Sequence, residues 1–203
     1  MKLYFFPGAC SLACHIALRE AGLPFEIEKV DTKAKKTASG ADYLALNPKG
    51  YVPTLVLDDG QKLTEAAVIL QYVADRMPAA KLAPPAGTPE RYRLLEWLNF
   101  IACEVHKGHT PLFRHASLPD ASKQPFKDDL AMRFDFLAKE LAGKPYLMGD
   151  SYTVADAYLF TVLNWPRYVD MDIAKWPALK AYWKRIGARP AVQAALKAEG
   201  LTK

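Results

Sequence analysis

Residues 2–22, KLYFFPGACSLACHIALREAG, decide how the chain begins to fold. Leu3, Tyr4, Phe5 and Phe6 make a short β-type run that stops at Pro7-Gly8. From Ser11 to Glu20 the apolar residues then recur at helical spacing until Gly22 ends them. The order is strand, turn, helix. Pro24 opens a second extended run over residues 25–30, followed by a Lys-rich loop, and a β-α-β order with this connection length implies parallel neighbours and a right-handed crossover. Further on, residues 43–48 read as a brief helix closed by Asn47-Pro48. Residues 52–57, the Asp58-Asp59-Gly60 turn and residues 61–63 read as a β-hairpin. Pro53 cannot donate to a ladder, so it belongs at an edge or where a strand begins, and the Val52-Pro53 bond is expected to be cis. A helix over residues 65–74 follows, with Thr64 as its N-cap. The first half therefore reads β-α-β-α-β-β-α.

Residues 78–89 hold four prolines without helical periodicity and mark a linker, placed at 81–88, between domains 1–80 and 89–203. Beyond it only amphipathic helical segments appear, over residues 90–107, brokenly to 118, then 126–141, 154–165, 178–185 and 192–198. The fold class is α/β plus all-α. With 203 residues, 51% hydrophobic and 24% charged, the composition excludes disordered, collagenous and coiled-coil chains. The net charge of +5 is scattered apart from Lys33, Lys35 and Lys36, which is no basic face for nucleic acid. Three cysteines leave at least one free thiol and point to a reducing compartment. The apolar run before Cys10 is too short for an export signal, and no run approaches the ~18 residues of a membrane span. A cytoplasmic protein without membrane or nucleic-acid partners is expected.

Cys10 stands where the first strand passes into the first helix. There, unpaired N–H groups and the positive end of the helix dipole favour thiolate, which makes Cys10 the best nucleophile candidate. The bland alternative is a small buried apolar residue, and Cys14, on an Ala-rich helical face, fits it. Cys10 and Cys14 are not in Cys-x-x-Cys spacing, which disfavours a two-thiol mechanism. Glu65 opens a helix, where it either compensates the dipole or, beside the helix N–H groups, holds a zwitterionic amino-acid group. Val52 offers backbone N–H and C=O to an extended peptide. Cys103, His106 and His109 drift around a helix at i, i+3, i+6 without His-Glu-x-x-His order, so no metal is expected. Thr153-Val154-Ala155-Asp156 is a capping box that fixes a buried helix.

Taken in order, Met1-Lys2-Leu3-Tyr4 with Pro7-Gly8-Ala9-Cys10-Ser11, Asn47-Pro48-Lys49-Gly50-Tyr51-Val52-Pro53, Leu63-Thr64-Glu65, Glu96-Trp97-Leu98-Asn99 and residues 151–158 span nearly the whole chain. Together they resemble the glutathione S-transferases, most closely the bacterial beta class. The resemblance implies a thioredoxin-like N-terminal domain, a helical-bundle C-terminal domain with a hydrophobic-substrate site, and a homodimer with two glutathione sites. Carried to matching positions, it sets Cys10 against the glutathione sulfur, Val52 against the cysteinyl backbone, and Glu65 with Ala66 on the γ-glutamyl end. Lys35 and His106 complete the glutathione site. Asn99, Cys103 and Glu104 lie near the dimer interface, some of them given by the other subunit, and Trp165 is similar to a Trp lining the hydrophobic-substrate site. Cys10 and His106 are the catalytic candidates, and glutathione is a co-substrate.

Two departures stand out. Position 66 is Ala where many family members carry Ser, so one hydroxyl contact worth about 0.5–1.5 kcal/mol is missing. Cys10 replaces the Tyr or Ser of other classes, which implies thiol transfer through a mixed disulfide beside conjugation, with Ser11 as the alternative thiolate donor. The implied activity is attack of activated glutathione on hydrophobic electrophiles. A non-catalytic binder of apolar ligands and a glutathione-dependent reductive dehalogenase are the alternatives.

Overall fold

The computed structural model describes residues 1–115 and 117–202. Its elements run β1 (Lys2–Phe5), α1 (Ser11–Glu20), β2 (Glu26–Asp31), β3 (Lys36–Thr37), α2 (Tyr43–Leu46), β4 (Thr54–Val56), β5 (Lys62–Thr64) and α3 (Ala66–Arg76). After the Pro-rich stretch come α4 (Pro89–Phe100), α5 (Lys107–Arg114), α6 (Asp120–Glu140), α7 (Val154–Val162), α8 (Pro177–Gly187) and α9 (Pro190–Ala198). Two compact units result, residues 1–83 together with the segment from Arg189 onward, and Pro84–Ala188.

The first unit is built on a sheet of order β3-β2-β1-β4-β5. β1 runs parallel to β2, Leu3 facing Ile27, and antiparallel to β4, Leu3 facing Leu55. The helical crossover read from residues 2–30 is thus present. β3, two residues long and antiparallel to β2, falls in the stretch read as a loop. Leu3 and Phe5 point inward from β1, and Leu12–Leu18 of α1 is buried throughout. α1 packs against α3 and α9.

Two expectations are corrected here. Thr64 is the last residue of β5 rather than a helix cap, and α3 starts at Ala66 after Glu65, whose backbone takes a positive φ of 68°. The segment from Arg189 onward joins the first unit, not the helical domain read as 89–203. Val192 and Ala195 of α9 bury an apolar stripe, and Arg189 grips Glu20 of α1 with Nε and Nη2 at 2.6 and 2.9 Å. The spacing of apolar residues revealed a helix but not its partner.

In the second unit the helix read over residues 90–107 is interrupted. α4 widens into a π-helical turn at Ile101–His106 before α5 resumes. The Thr153/Asp156 device is present: Asp156 Oδ2 accepts the Thr153 N–H at 2.8 Å and its hydroxyl at 3.1 Å. Asp156 Oδ1 accepts the Leu147 N–H at 3.0 Å and the Tyr182 hydroxyl at 2.8 Å. α7 is buried on every side and Asp156 with it. That burial pushes its carboxyl pKa up, against the pull of these hydrogen bonds.

Candidate functional site

Cys10 ends the turn after β1 with a backbone already helical, φ −59° and ψ −19°, so its thiol stands at the N-terminus of α1. The thiol donates to the Val52 carbonyl at 3.4 Å. The two residues read as facing the sulfur and backbone of a thiol peptide are therefore in contact. The turn is held from several sides. Gly8, at φ +73°, donates its N–H to Glu199 Oε2 at 2.9 Å. Ser11 Oγ accepts the Phe6 N–H and donates to the Phe6 carbonyl, both at 3.2 Å. Ser11 is fully buried, its hydroxyl engaged with the Phe6 backbone.

Val52 precedes the cis bond to Pro53 and the first paired residue of β4. Because β4 lies between β1 and β5, the Val52 backbone is where a strand begins rather than along a sheet edge. Three buried polar side chains fix it. Asn47 Nδ2 donates to the Tyr51 carbonyl at 2.9 Å and to Thr54 Oγ1 at 3.0 Å, while the Tyr43 hydroxyl donates to the same carbonyl at 3.1 Å and lies 2.8 Å from Thr54 Oγ1. Sequence reading missed this network and Glu199. Asn47-Pro48 announced a helix end, but nothing local announced a partner across the loop.

Lys35 Nζ donates to the Gly50 carbonyl at 2.6 Å. Gly50 has φ +70°, and a Cβ there would lie 3.0 Å from Leu44 Cδ2 and 3.5 Å from the Lys35 side chain, so glycine lets the lysine stem pass. Glu65 Oε1 accepts from Lys49 Nζ at 2.8 Å and from the Tyr51 hydroxyl at 3.3 Å. A non-glycine residue at positive φ is sterically costly, and it is found just where α3 begins. Ala66 is buried, and its carbonyl accepts from Cys14 Sγ at 3.9 Å. Burial pushes the Cys14 thiol well above its usual pKa, which suits a core residue.

The remaining candidates belong to the second unit. The π-helical turn displays Cys103, exposed and 3.7 Å from Asn99 Oδ1, and Glu104, which Arg133 Nη2 holds at 3.0 Å. π-helical turns favour functional positions because they shift the register of the side chains around them. His106, the last residue of the turn, places Nδ1 2.8 Å from the Tyr158 hydroxyl and its ring edge-on to Trp165, centroids 4.8 Å apart. Trp165 also meets His109 and Phe113 edge-on. His109 is fully buried, its Nδ1 2.8 Å from the Val105 carbonyl, and burial lowers its pKa to about 4. Cys103, His106 and His109 thus face different surroundings. Among the described residues no three metal-ligating side chains come together.

Residues 8–76 match the family described as glutathione S-transferase, N-terminal domain, and residues 100–190 match its C-terminal domain. Glutathione S-transferase GstA of Escherichia coli O157:H7 is 46% identical over 99% of this chain and 100% of its own. A sphingomonad glutathione S-transferase solved in complex with glutathione is 51% identical, with a TM-score of 0.95 and full coverage of both chains. The bacterial beta class enzyme of Sphingomonas chungbukensis is 48% identical, again with a TM-score of 0.95 and full coverage. No helix among the described residues is long and apolar enough to cross a membrane. Because the two family matches fall on the sheet-bearing unit and on the helical unit in turn, the chain belongs to the glutathione S-transferase family.

Proposed function

We propose that this glutathione transferase binds glutathione extended across the first unit, its cysteinyl backbone on Val52 and its sulfur at Cys10, and works as a cytoplasmic homodimer in detoxification. Lys35, Glu65 and the start of α3 take the charged ends of the tripeptide. His106 and Trp165, with Asn99, Cys103 and Glu104, serve the second unit's part of the reaction. The observation that carries this reading is the Cys10 thiol at the N-terminus of α1, 3.4 Å from the Val52 carbonyl. Unpaired N–H groups and the positive end of the helix dipole at such a helix start favour a thiolate over a thiol. In conjugation the glutathione sulfur bonds to an electrophilic carbon, the leaving group departs with its electron pair, and the thiol proton is released. In thiol transfer the Cys10 thiolate attacks a glutathione mixed disulfide and expels the other thiol. A second glutathione thiolate then resolves the Cys10–glutathione disulfide to glutathione disulfide.

Cys10→Ala separates the two chemistries. Reduction of a mixed disulfide should fall to background while conjugation of an aryl halide persists. Unchanged disulfide reduction removes Cys10 from the mechanism. The homodimer is supported by an open groove of about 480 Å³ in which Trp97, Phe100 and Phe136 are flanked by Arg93, Glu96 and Glu140. Sedimentation equilibrium tests it, a monomer at micromolar concentration being the contrary result.

A further inference from the structure

Glutathione carries two carboxylates and one ammonium. Lys35, bound to Gly50, is the one cation so far matched to a carboxylate. The other carboxylate belongs to the γ-glutamyl end, beside the ammonium, and there Ala66 presents a methyl group without a hydroxyl. The structure supplies a different group at this spot. Lys49 Nζ lies 2.8 Å from Glu65 Oε1 and 3.0 Å from Thr64 Oγ1, directly before the first residue of α3. A cation and an anion therefore sit side by side next to the N–H groups of a helix start. Both side chains are about half exposed, 47% for Lys49 and 53% for Glu65, so a ligand reaches them without unfolding anything. Glu65 raises the pKa of Lys49, which stays charged at neutral pH.

We propose that Lys49 is a specificity-determining residue that binds the α-carboxylate of the γ-glutamyl group, so that Lys49 and Glu65 together read the zwitterionic end of glutathione. The inference rests on the glutathione reading above. A zwitterion laid against this pair sets its carboxylate on Lys49 and the α3 N–H groups and its ammonium on Glu65, so each of the four charges has opposite neighbours. Without Lys49 the ligand carboxylate would face Glu65 with no side-chain cation to offset the repulsion. The Tyr51 hydroxyl, 3.3 Å from Glu65 Oε1, steadies Glu65 as Lys49 turns to the ligand.

The test is calorimetric titration of wild type, Lys49→Met and Lys49→Arg with S-methylglutathione and with its analogue lacking only the γ-glutamyl α-carboxylate. Lys49→Met should weaken S-methylglutathione about tenfold, the scale of one charge-assisted contact, and change binding of the analogue by less than about twofold. Lys49→Arg should stay within about threefold of wild type. Unchanged or tighter binding by Lys49→Met, or an equal loss on both ligands, overturns the proposal while leaving glutathione binding in place. A wild-type chain that does not bind S-methylglutathione overturns the glutathione reading and this assignment with it.

Discussion

His109 shows how much one side chain contributes when water is kept from it. Phe113, Phe134 and Trp165 surround its ring, and Nε2 is buried without a hydrogen-bond partner among the described residues. Its folded pKa of about 4 lies below the ordinary 6.5. The unfolded chain therefore takes up the proton first, and stability falls as pH drops from about 6.5 towards 4. Between pH 7.5 and 5 this one group should remove about 2 kcal/mol of unfolding free energy. Urea titrations of wild type and His109→Gln at both pH values check it, the variant losing less. At this scale the sequence was legible where chemistry is local. The place of Cys10 at the start of α1 was readable because it follows a strand and a Pro-Gly turn. Glu199 was not, since its contact with Gly8 spans 191 residues and nothing around Glu199 marks it as more than a surface charge near a helix end.

Among the elements, α7 depends most on a single carboxylate. Asp156 accepts from the backbone N–H groups of Thr153 and Leu147 and from the hydroxyls of Thr153 and Tyr182, all in a buried setting. Asp156→Ala leaves these donors unsatisfied and should cost at least about 3 kcal/mol, whereas Thr153→Ala should cost about 1 kcal/mol. Chemical denaturation of both variants measures the difference. Ser/Thr-x-x-Asp was readable because its two ends lie one helical turn apart. The π-helical turn at Ile101–His106 was not, because residues 90–107 keep helical apolar spacing and no proline or glycine within Ile101–His106 marks the wider turn. Strand β3 was lost to the lysines around it, two residues being too few to show alternation.

For the molecule as a whole, the two units divide after residue 83, and connectivity hid the return of the last helix to the first unit. Glu199 is the centre of that return, with Oε1 2.9 Å from His15 Nδ1 and Oε2 on the Gly8 N–H. Leu201 lies over Gly8, its Cδ2 3.6 Å from where a Cβ would be. Glu199→Ala should lower unfolding free energy by about 3 kcal/mol through the buried groups it leaves unpaired. It should also raise KM for glutathione, since the turn that ends in Cys10 loses its anchor. Measuring KM well below the variant's melting range separates the second effect from the first.

The same return sets a timetable for synthesis. The sheet and α1 leave the ribosome early, yet the segment that covers α1 and fastens the Gly8 turn emerges only after Pro84–Ala188 has been made. At about 5–20 residues per second the nascent first unit waits roughly 5–20 s with one flank of α1 uncovered. In that interval the Gly8 turn, which leads into Cys10, lacks its hydrogen bond to Glu199.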